Sequence, residues 1–246
     1  MKISIITPTY NVENTIIETL KSIDQQTFRN FEHIIIDGES SDRTCEIIKN
    51  YSSYKITCIS ETDNGLYDAI NKGVKLSTGE IIGILNADDR YFSASTLNVI
   101  SETFKSNPEV DCVYGNLEFV NDKLEVVRRW KSKKFKSGYF EKSWTPAHPT
   151  FYCRRQVYDE LKEYKVNYQI ASDVDFMYRA LEIKKFKCYF IDENLVQMTI
   201  GGKSTRGLTS LITIIKEMKR VFAENGKKLN MPKYLFFKVL KIRELL

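Results

Sequence analysis

The sequence predicts an α/β protein built on a Rossmann-like, mostly parallel mixed sheet that is flanked by helices. Over the first third of the chain, short β-branched runs alternate with segments in which apolar residues have helical spacing, as in βαβ units. The strand runs are continuously apolar, which indicates burial on both faces of the sheet. The chain has 246 residues, 42% of them hydrophobic. This is enough for one large domain, and it excludes a disordered polyelectrolyte.

The predicted elements follow in a regular order along the chain. The strands are expected at 2–7, 32–37, 55–60 and 80–85, and the helices at 12–26, from 41–44 onward and at 66–76. Polar residues follow each of these strands. Because ligands of such sheets bind beyond the carboxyl ends of the strands, these loops are the first candidates for a site.

Three of the four loops carry carboxylates, so one edge of the sheet gathers Asp37, Asp63, Asp88 and Asp89. Crowded carboxylates repel one another unless a cation or hydrogen-bond donors compensate. A divalent metal is the simplest explanation, and the oxygen ligands of Asp88 and Asp89 suit Mg²⁺ or Mn²⁺ better than zinc. An acidic pair that only caps the following helix is the structural alternative.

Four motifs in roughly the first 110 residues resemble those of family 2 glycosyltransferases. They are IITPTYN at 5–11, IDGESSDRT at 36–44, ETDNGLYDAINKG at 61–73 and LNADD at 85–89. The resemblance implies the GT-A fold, a nucleoside-diphosphate sugar as donor, a divalent metal and inversion at the anomeric carbon. It makes Asp89 the metal ligand of a DXD-type motif and Asp88 a contact to the ribose or donor sugar.

The same resemblance assigns the nucleotide side of the site. Asp37 corresponds to the aspartate that accepts from the imide N–H of uracil, so UDP is the expected nucleotide. Thr7 and Thr9 would lie beside the nucleoside, and Asp63 would approach its base or ribose. A capping or turn role is the alternative for Asp37, and an ordinary structural role is the alternative for Thr9.

The second half of the chain supplies the acceptor side. Inverting transfer is a single displacement, so a base must take the proton of the acceptor hydroxyl. Residues 170–180 resemble the family's Glu-Asp motif and place Asp173 at the catalytic base, although Ser172 stands where an acidic residue is usual. A plain helix cap is the alternative. His148 and Trp144 are acceptor-side candidates; Trp144 could stack on a sugar, and His148 has a structural alternative.

The C-terminal part is expected to be basic and helical. Residues 203–246 contain eleven basic and three acidic residues, which gives this tail a formal charge of +8 and residues 1–202 a charge of −3. Gly201, Gly202 and Lys203 could form a mobile loop over the diphosphate or a hinge into the tail. A basic amphipathic tail fits an anionic membrane surface. The alternative is that its apolar residues pack on the catalytic domain or on a second subunit.

These observations divide the chain into three parts. Residues 1–110 form the nucleotide-sugar half of the GT-A domain, residues 111–202 the acceptor half, and residues 203–246 the tail. The chain lacks the ~18 consecutive apolar residues of a membrane span and a secretory signal. We therefore expect a cytoplasmic protein, peripheral at the inner face of the cell membrane if the tail binds lipid. No recognised nucleic-acid-binding motif is present, and the main body is acidic, so no nucleic-acid partner is expected.

The predicted function is transfer of a sugar from a UDP-sugar to a glycan or polyprenyl-diphosphate-linked acceptor. Two alternatives belong to other classes of protein. A sugar-phosphate nucleotidylyltransferase would carry a Gly-rich basic loop after the first strand, where this chain has TPTYNVE at 7–13. A non-catalytic, membrane-docked scaffold would not need Asp88, Asp89 and Asp173 together.

Overall fold

The computed structural model describes residues 1–51, 53–121, 123–200 and 207–243, and it confirms the α/β class. The strands are β1 (Ile3–Thr9), β2 (Phe31–Asp37), β3 (Ile56–Ser60), β4 (Ile81–Ile84), β5 (Asp89–Tyr91), β6 (Cys112–Val120), β7 (Val126–Trp130), β8 (Tyr152–Arg154) and β9 (Cys188–Thr199). The helices are α1 (Ile16–Asp24), α2 (Thr44–Asn50), α3 (Leu66–Leu76), α4 (Thr96–Ser106), α5 (Arg155–Leu161), α6 (Ser172–Tyr178), α7 (Gly207–Glu224) and α8 (Met231–Arg243). Short 3₁₀ turns lie at Phe140–Lys142 and His148–Thr150, and a π-helical turn, Arg179–Ile183, follows α6.

The described strands form one nine-stranded sheet in the order β3-β2-β1-β4-β8-β6-β9-β5, with β7 paired to β6. The first four strands in this order are parallel, as are β6 and β9. The pairings β4–β8, β6–β8, β6–β7 and β5–β9 are antiparallel. The parallel register places Thr9 beside Asp37 and Asp37 beside Ser60. The strand ends that carry the predicted site residues therefore meet at one edge.

Strand β2 shows why helices cover both faces of the sheet. Ile34 and Ile36 pack with Ala69 of α3, whereas Ile35, on the opposite face, packs with the α1 residue Ile16 and the α2 residue Ile48. Successive side chains of a strand point to opposite faces, so a continuously apolar strand needs a helix on each side. This explains the apolar runs seen in the sequence.

Helix α7 packs on the rest of the domain. This is the alternative in which apolar residues of the tail pack on the catalytic domain. Met218, Val221 and Phe222 are buried in the same apolar core as α6, and the ring of Phe222 lies 4.6 Å from that of Tyr178. Helix α8 buries Tyr234 in this core. Within the described part of the chain, no helix has both the length and the apolar character to cross a membrane.

Candidate active site

The carboxylate of Asp37 lies at the carboxyl end of β2 and is fully buried. It accepts hydrogen bonds of 2.5–3.1 Å from the hydroxyls of Thr9, Ser40 and Ser60, the backbone N–H of Ser40 and the thiol of Cys45. Burial acts to raise the pKa of Asp37, but these hydrogen bonds outweigh it and hold the pKa below its usual value. Asp37 therefore holds the loops after β1, β2 and β3 together as an ionised carboxylate.

The two threonines of β1 have different surroundings. Thr9 bonds to Asp37 at the strand end. Thr7 is fully buried, and its hydroxyl lies 2.9 Å from Nε2 of His33. Burial lowers the pKa of His33 to about 3, so this ring is neutral at pH 7. The strand turns the Thr7 side chain into the core, so a contact of Thr7 with a nucleoside would have to come from its backbone.

Asp63 lies in the loop between β3 and α3, against Gly38, the residue that follows Asp37. Its Oδ1 accepts a hydrogen bond of 2.7 Å from the backbone N–H of Gly65. A Cβ atom at Gly38 would lie 2.6 Å from Oδ2 of Asp63, so the absence of a side chain at Gly38 allows the loops after β2 and β3 to approach. The structure thus places Thr9 in contact with Asp37 and Asp63 beside the residue that follows Asp37.

Asp88 directly precedes β5, and Asp89 is the first residue of that strand. Asp89 is 1% exposed; its Oδ2 accepts from the Asn86 amide at 3.0 Å, while its buried Oδ1 has no hydrogen-bond partner among the described residues. Burial, and then the neighbouring Asp88 charge, raise the pKa of Asp89 well above its usual value. No group of three or more His, Cys, Asp and Glu side chains that could hold a metal occurs in the described ranges. Asp89 thus has an oxygen available for a ligand, but the described residues do not supply a complete set of metal ligands there.

Asp173 is the second residue of α6, and its Oδ2 lies 3.2 Å from Nδ1 of His148. Its Oδ1 is buried and has no partner in the part of the structure that is described. Burial raises the pKa of Asp173, and the charge of His148 opposes this. Burial also raises the pKa of Asp88, and the same charge of His148 acts against that rise. His148 therefore couples electrostatically to both sides of the site.

Trp144 does not fit its expected role. It is only 7% exposed, and its ring packs against those of Tyr114, Phe135 and Tyr139 at centroid distances of 5.2–6.4 Å. The expectation of sugar stacking on Trp144 is wrong for this structure, because aromatic neighbours already cover the ring. Gly201, Gly202 and Lys203, the candidates for a mobile loop, lie outside the described residues.

Two acidic residues that the sequence analysis did not assign to the site hold α6 in place. The carboxylate of Glu217 in α7 accepts the backbone N–H groups of Gln169, Ile170 and Ala171 at 2.6–3.0 Å. Asp175 is fully buried and pairs with Arg179 at 2.7 Å and with Lys165 at 3.1 Å. The sequence feature that could have identified Glu217 is its position as an acidic residue on the buried, apolar face of α7. Its partners are too distant in sequence for spacing to reveal.

A model of glycosyl transferase family 2 matches residues 4–189. The chain belongs to glycosyl transferase family 2. A PGL/p-HBAD biosynthesis glycosyltransferase of Mycobacterium bovis (strain BCG / Pasteur 1173P2) is 31% identical to this glycosyltransferase over 185 residues, which cover 72% of this chain and 68% of that protein. The UDP-Glc:alpha-D-GlcNAc-diphosphoundecaprenol beta-1,3-glucosyltransferase WfgD of Escherichia coli is 33% identical over 121 residues, 49% of this chain and 47% of that one.

Solved structures show the same fold for this glycosyltransferase. S. aureus TarS superimposes with a TM-score of 0.70 and 21% identity; the match covers 91% of this chain but 39% of TarS. The mannosyltransferase PcManGT of Pyrobaculum calidifontis was solved with GDP-Man and Mn²⁺. It superimposes with a TM-score of 0.69 and 19% identity, and the match covers 96% of this chain and 68% of PcManGT. These likenesses confirm the GT-A fold. Family membership makes the protein a hexosyltransferase-type enzyme rather than a nucleotidylyltransferase or a non-catalytic scaffold.

Proposed function

We propose that this glycosyltransferase moves a sugar from a UDP-sugar to a hydroxyl of a lipid-linked glycan, with inversion and with Asp173 as the base. The observation that carries the proposal is the Asp173 carboxylate, which is paired with His148 through Oδ2 and has a buried Oδ1 without a described partner. TarS has been solved with UDP-GlcNAc, and WfgD is named for a UDP-Glc donor and a diphosphoundecaprenol-linked acceptor. These relatives supply the proposed donor and acceptor classes.

In the proposed step, the acceptor oxygen forms a bond to the anomeric carbon as the bond from that carbon to the diphosphate oxygen breaks. Asp173 takes the acceptor proton, and UDP leaves with the electron pair of the broken bond. Because burial raises the pKa of Asp173, its carboxylate is a stronger base than an exposed aspartate. His148 orients the carboxylate through Oδ2 and leaves Oδ1 for the proton.

On the donor side, Thr9, Asp37 and Asp63 form the proposed nucleoside pocket, and Asp88 contacts the ribose or donor sugar. The Asp37 carboxylate is already saturated by protein donors. For Asp37 to read uracil directly, the imide N–H would have to replace one of them. Without that exchange, Asp37 shapes the pocket by holding the three loops together.

The residues present fit a divalent cation, either Mg²⁺ or Mn²⁺. The buried, unpartnered Oδ1 of Asp89 is a hard oxygen ligand of the kind that both ions prefer. Since no complete cage is present in the described ranges, diphosphate oxygens and water would supply the remaining ligands. When bound, the cation would neutralise the charge that develops on the departing diphosphate.

The base is tested by replacing Asp173 with Asn, which keeps the shape but cannot accept the proton. Release of the nucleoside diphosphate, UDP or GDP according to the donor, is measured with UDP-glucose, UDP-GlcNAc or GDP-mannose as donor and GlcNAc-diphosphoundecaprenol as acceptor. We expect Asp173→Asn to lower kcat roughly 10²–10⁴-fold with unchanged UDP affinity. Asp159→Asn, an exposed change on α5, is the matched control. Near-normal turnover of Asp173→Asn would overturn the assignment.

The cation site is tested by titrating UDP calorimetrically with and without Mn²⁺. We expect Mn²⁺ to tighten UDP binding to the wild-type protein, because Asp89 would hold the cation and its positive charge would attract the diphosphate. Asp89→Asn should remove most of this Mn²⁺ dependence and leave the metal-free affinity nearly unchanged. An equal Mn²⁺ effect in both proteins would show that Asp89 is not the ligand.

A further inference from the structure

Helix α8 presents an apolar face to solvent. Leu235, Phe236, Val239 and Leu240 are 39%, 61%, 54% and 38% exposed. Their spacing places them on one side of the helix, while Tyr234 is turned inward and is 2% exposed. Four adjacent large apolar side chains in solvent indicate a surface that binds something. We call this set the α8 face.

A lysine-rich segment, residues 131–142, lies along α8. Three contacts fix its position: Lys233 pairs with Glu141 at 2.7 Å, Lys142 lies 5.8 Å from the Phe237 ring, and Lys241 lies 4.5 Å from the ring of Trp130, just before the segment. The segment carries one acidic residue and five exposed lysines: Lys131, Lys133, Lys134, Lys136 and Lys142. We call these lysines the basic rim.

We propose that the α8 face and the basic rim together bind the surface of an anionic lipid bilayer. Apolar side chains that enter the boundary between headgroups and acyl chains, with cations beside them at the level of the phosphates, are the pattern of interfacial membrane binding. Each cation near an anionic surface adds to the binding. The charge argues against a second copy of the chain as the occupant, because a two-fold contact through the same patch would bring two basic rims together.

The location of this surface suits the proposed reaction. Helix α8 packs on the turn Phe140–Lys142, and Lys233 pairs with Glu141 in that turn. This stretch leads within a few residues to His148, the partner of Asp173. The purpose of membrane docking rests on the proposed lipid-linked acceptor, which would reach the acceptor half from the bilayer. Binding to the bilayer itself requires neither donor nor turnover.

The test is co-flotation of the full chain with vesicles. We expect binding to vesicles of mixed phosphatidylcholine and phosphatidylglycerol, and weak binding to phosphatidylcholine alone. Binding should fall at about 1 M salt, where the Debye length is about 3 Å. Phe236→Glu combined with Val239→Glu should lower vesicle affinity at least about tenfold, and Lys134→Gln combined with Lys136→Gln should lower it by a similar factor. Leu76→Glu, an exposed apolar position on α3 that is 44% exposed, is the matched control.

Soluble donor and acceptor analogues separate this proposal from the proposed function. UDP release in detergent should be unchanged in the Phe236→Glu, Val239→Glu protein, because neither residue belongs to the site. Vesicle binding equal to wild type in both double variants would overturn the membrane proposal and leave the catalytic one intact. A concentration-dependent dimer in sedimentation velocity that the Phe236→Glu, Val239→Glu variant abolishes, without vesicle binding by the wild type, would show a second copy as the occupant and also overturn it.

Discussion

Asp89 and Asp173 each keep one carboxylate oxygen buried without a partner among the described residues. A buried acceptor without a donor costs about 1–3 kcal/mol, so the protein carries this cost at two of its proposed reactive groups. A cation at Asp89 would give its buried oxygen a partner. An acceptor hydroxyl at Asp173 would do the same by donating a hydrogen bond. Binding of these ligands should therefore raise the free energy of unfolding by more than burial of the ligand's apolar surface alone would contribute.

His148 should control the pH dependence of transfer through Asp173. The base must be deprotonated to act; burial raises its pKa, and the charge of His148 acts in the opposite direction. His148→Gln removes the opposing charge, so the pKa of Asp173 should rise. We therefore expect the acidic limb of the kcat/KM profile to move to higher pH, with partial recovery of activity in alkaline buffer.

The control for this experiment is the same pH profile measured on Asp159→Asn, which should match that of the wild type. An acidic limb that stays in place in His148→Gln would show that His148 does not act through the charge of Asp173. Activity that is lost equally at all pH values would point to His148 as the proton acceptor itself.

At the scale of elements, the contact between α7 and the turn before α6 connects the C-terminal region to the base. Glu217 holds three successive backbone N–H groups at 169–171, and the hydroxyl of Tyr67 donates to the carbonyl of Ile170 at 2.6 Å. Helix α6 is thus fixed by one helix of the donor half and by one helix of the predicted tail. Glu217 thereby fixes the backbone just before Asp173, the proposed base.

Replacing Glu217 with Gln should lower kcat roughly ten- to hundredfold, because the amide cannot hold all three N–H groups and Asp173 is displaced. The free energy of unfolding should fall by about 1–3 kcal/mol. The affinity for UDP should not change, since the donor loops lie elsewhere. Glu102→Gln on α4, an exposed residue whose carboxylate pairs with Lys105 at 2.8 Å, is the control. Reduced stability with unchanged kcat would limit Glu217 to a structural role.

The sequence predicted the parallel half of the sheet well, because a strand buried on both faces leaves a continuous apolar run. Thr7 and Trp144 show where this reasoning fails. A polar residue near a strand end can face the ligand or the core, as Thr7 does, and spacing does not distinguish the two. An aromatic residue such as Trp144 can stack on a sugar or on other aromatic rings. The bond from Glu217 to residues 169–171 joins distant segments, so no local pattern contained it.

At the scale of the whole molecule, the charge division at residue 203 does not coincide with a structural division. The basic tail begins with α7, whose Met218, Val221 and Phe222 are core residues. Burial of each such side chain contributes about 1.5–3 kcal/mol, and a domain has about 5–15 kcal/mol in total. The tail is thus two parts: α7, which completes the domain, and α8, which presents the apolar face described above.

Two truncations should therefore behave differently. Deletion after Gly207 removes the core contribution of α7, and we expect a protein that aggregates or melts tens of degrees lower. Deletion after Gly226 keeps α7 and should retain UDP binding, with a smaller loss of stability from Leu229 and Tyr234. Thermal melting and UDP titration of both proteins provide the measurement. If the protein truncated after Gly207 were as stable as the wild type, the assignment of α7 to the core would be contradicted.

The bond from Glu217 to the turn before α6 also sets an order in which the enzyme can be completed during synthesis. Chains fold from the N-terminus as they leave the ribosome, and the donor loops at Asp37, Asp63 and Asp89 emerge long before α7 has been made. A nascent chain that ends at β9 can form the proposed donor side but still lacks Glu217, the carboxylate that fixes the backbone before the proposed base. We therefore expect newly made protein to acquire the ability to bind nucleotide before it acquires the ability to transfer sugar.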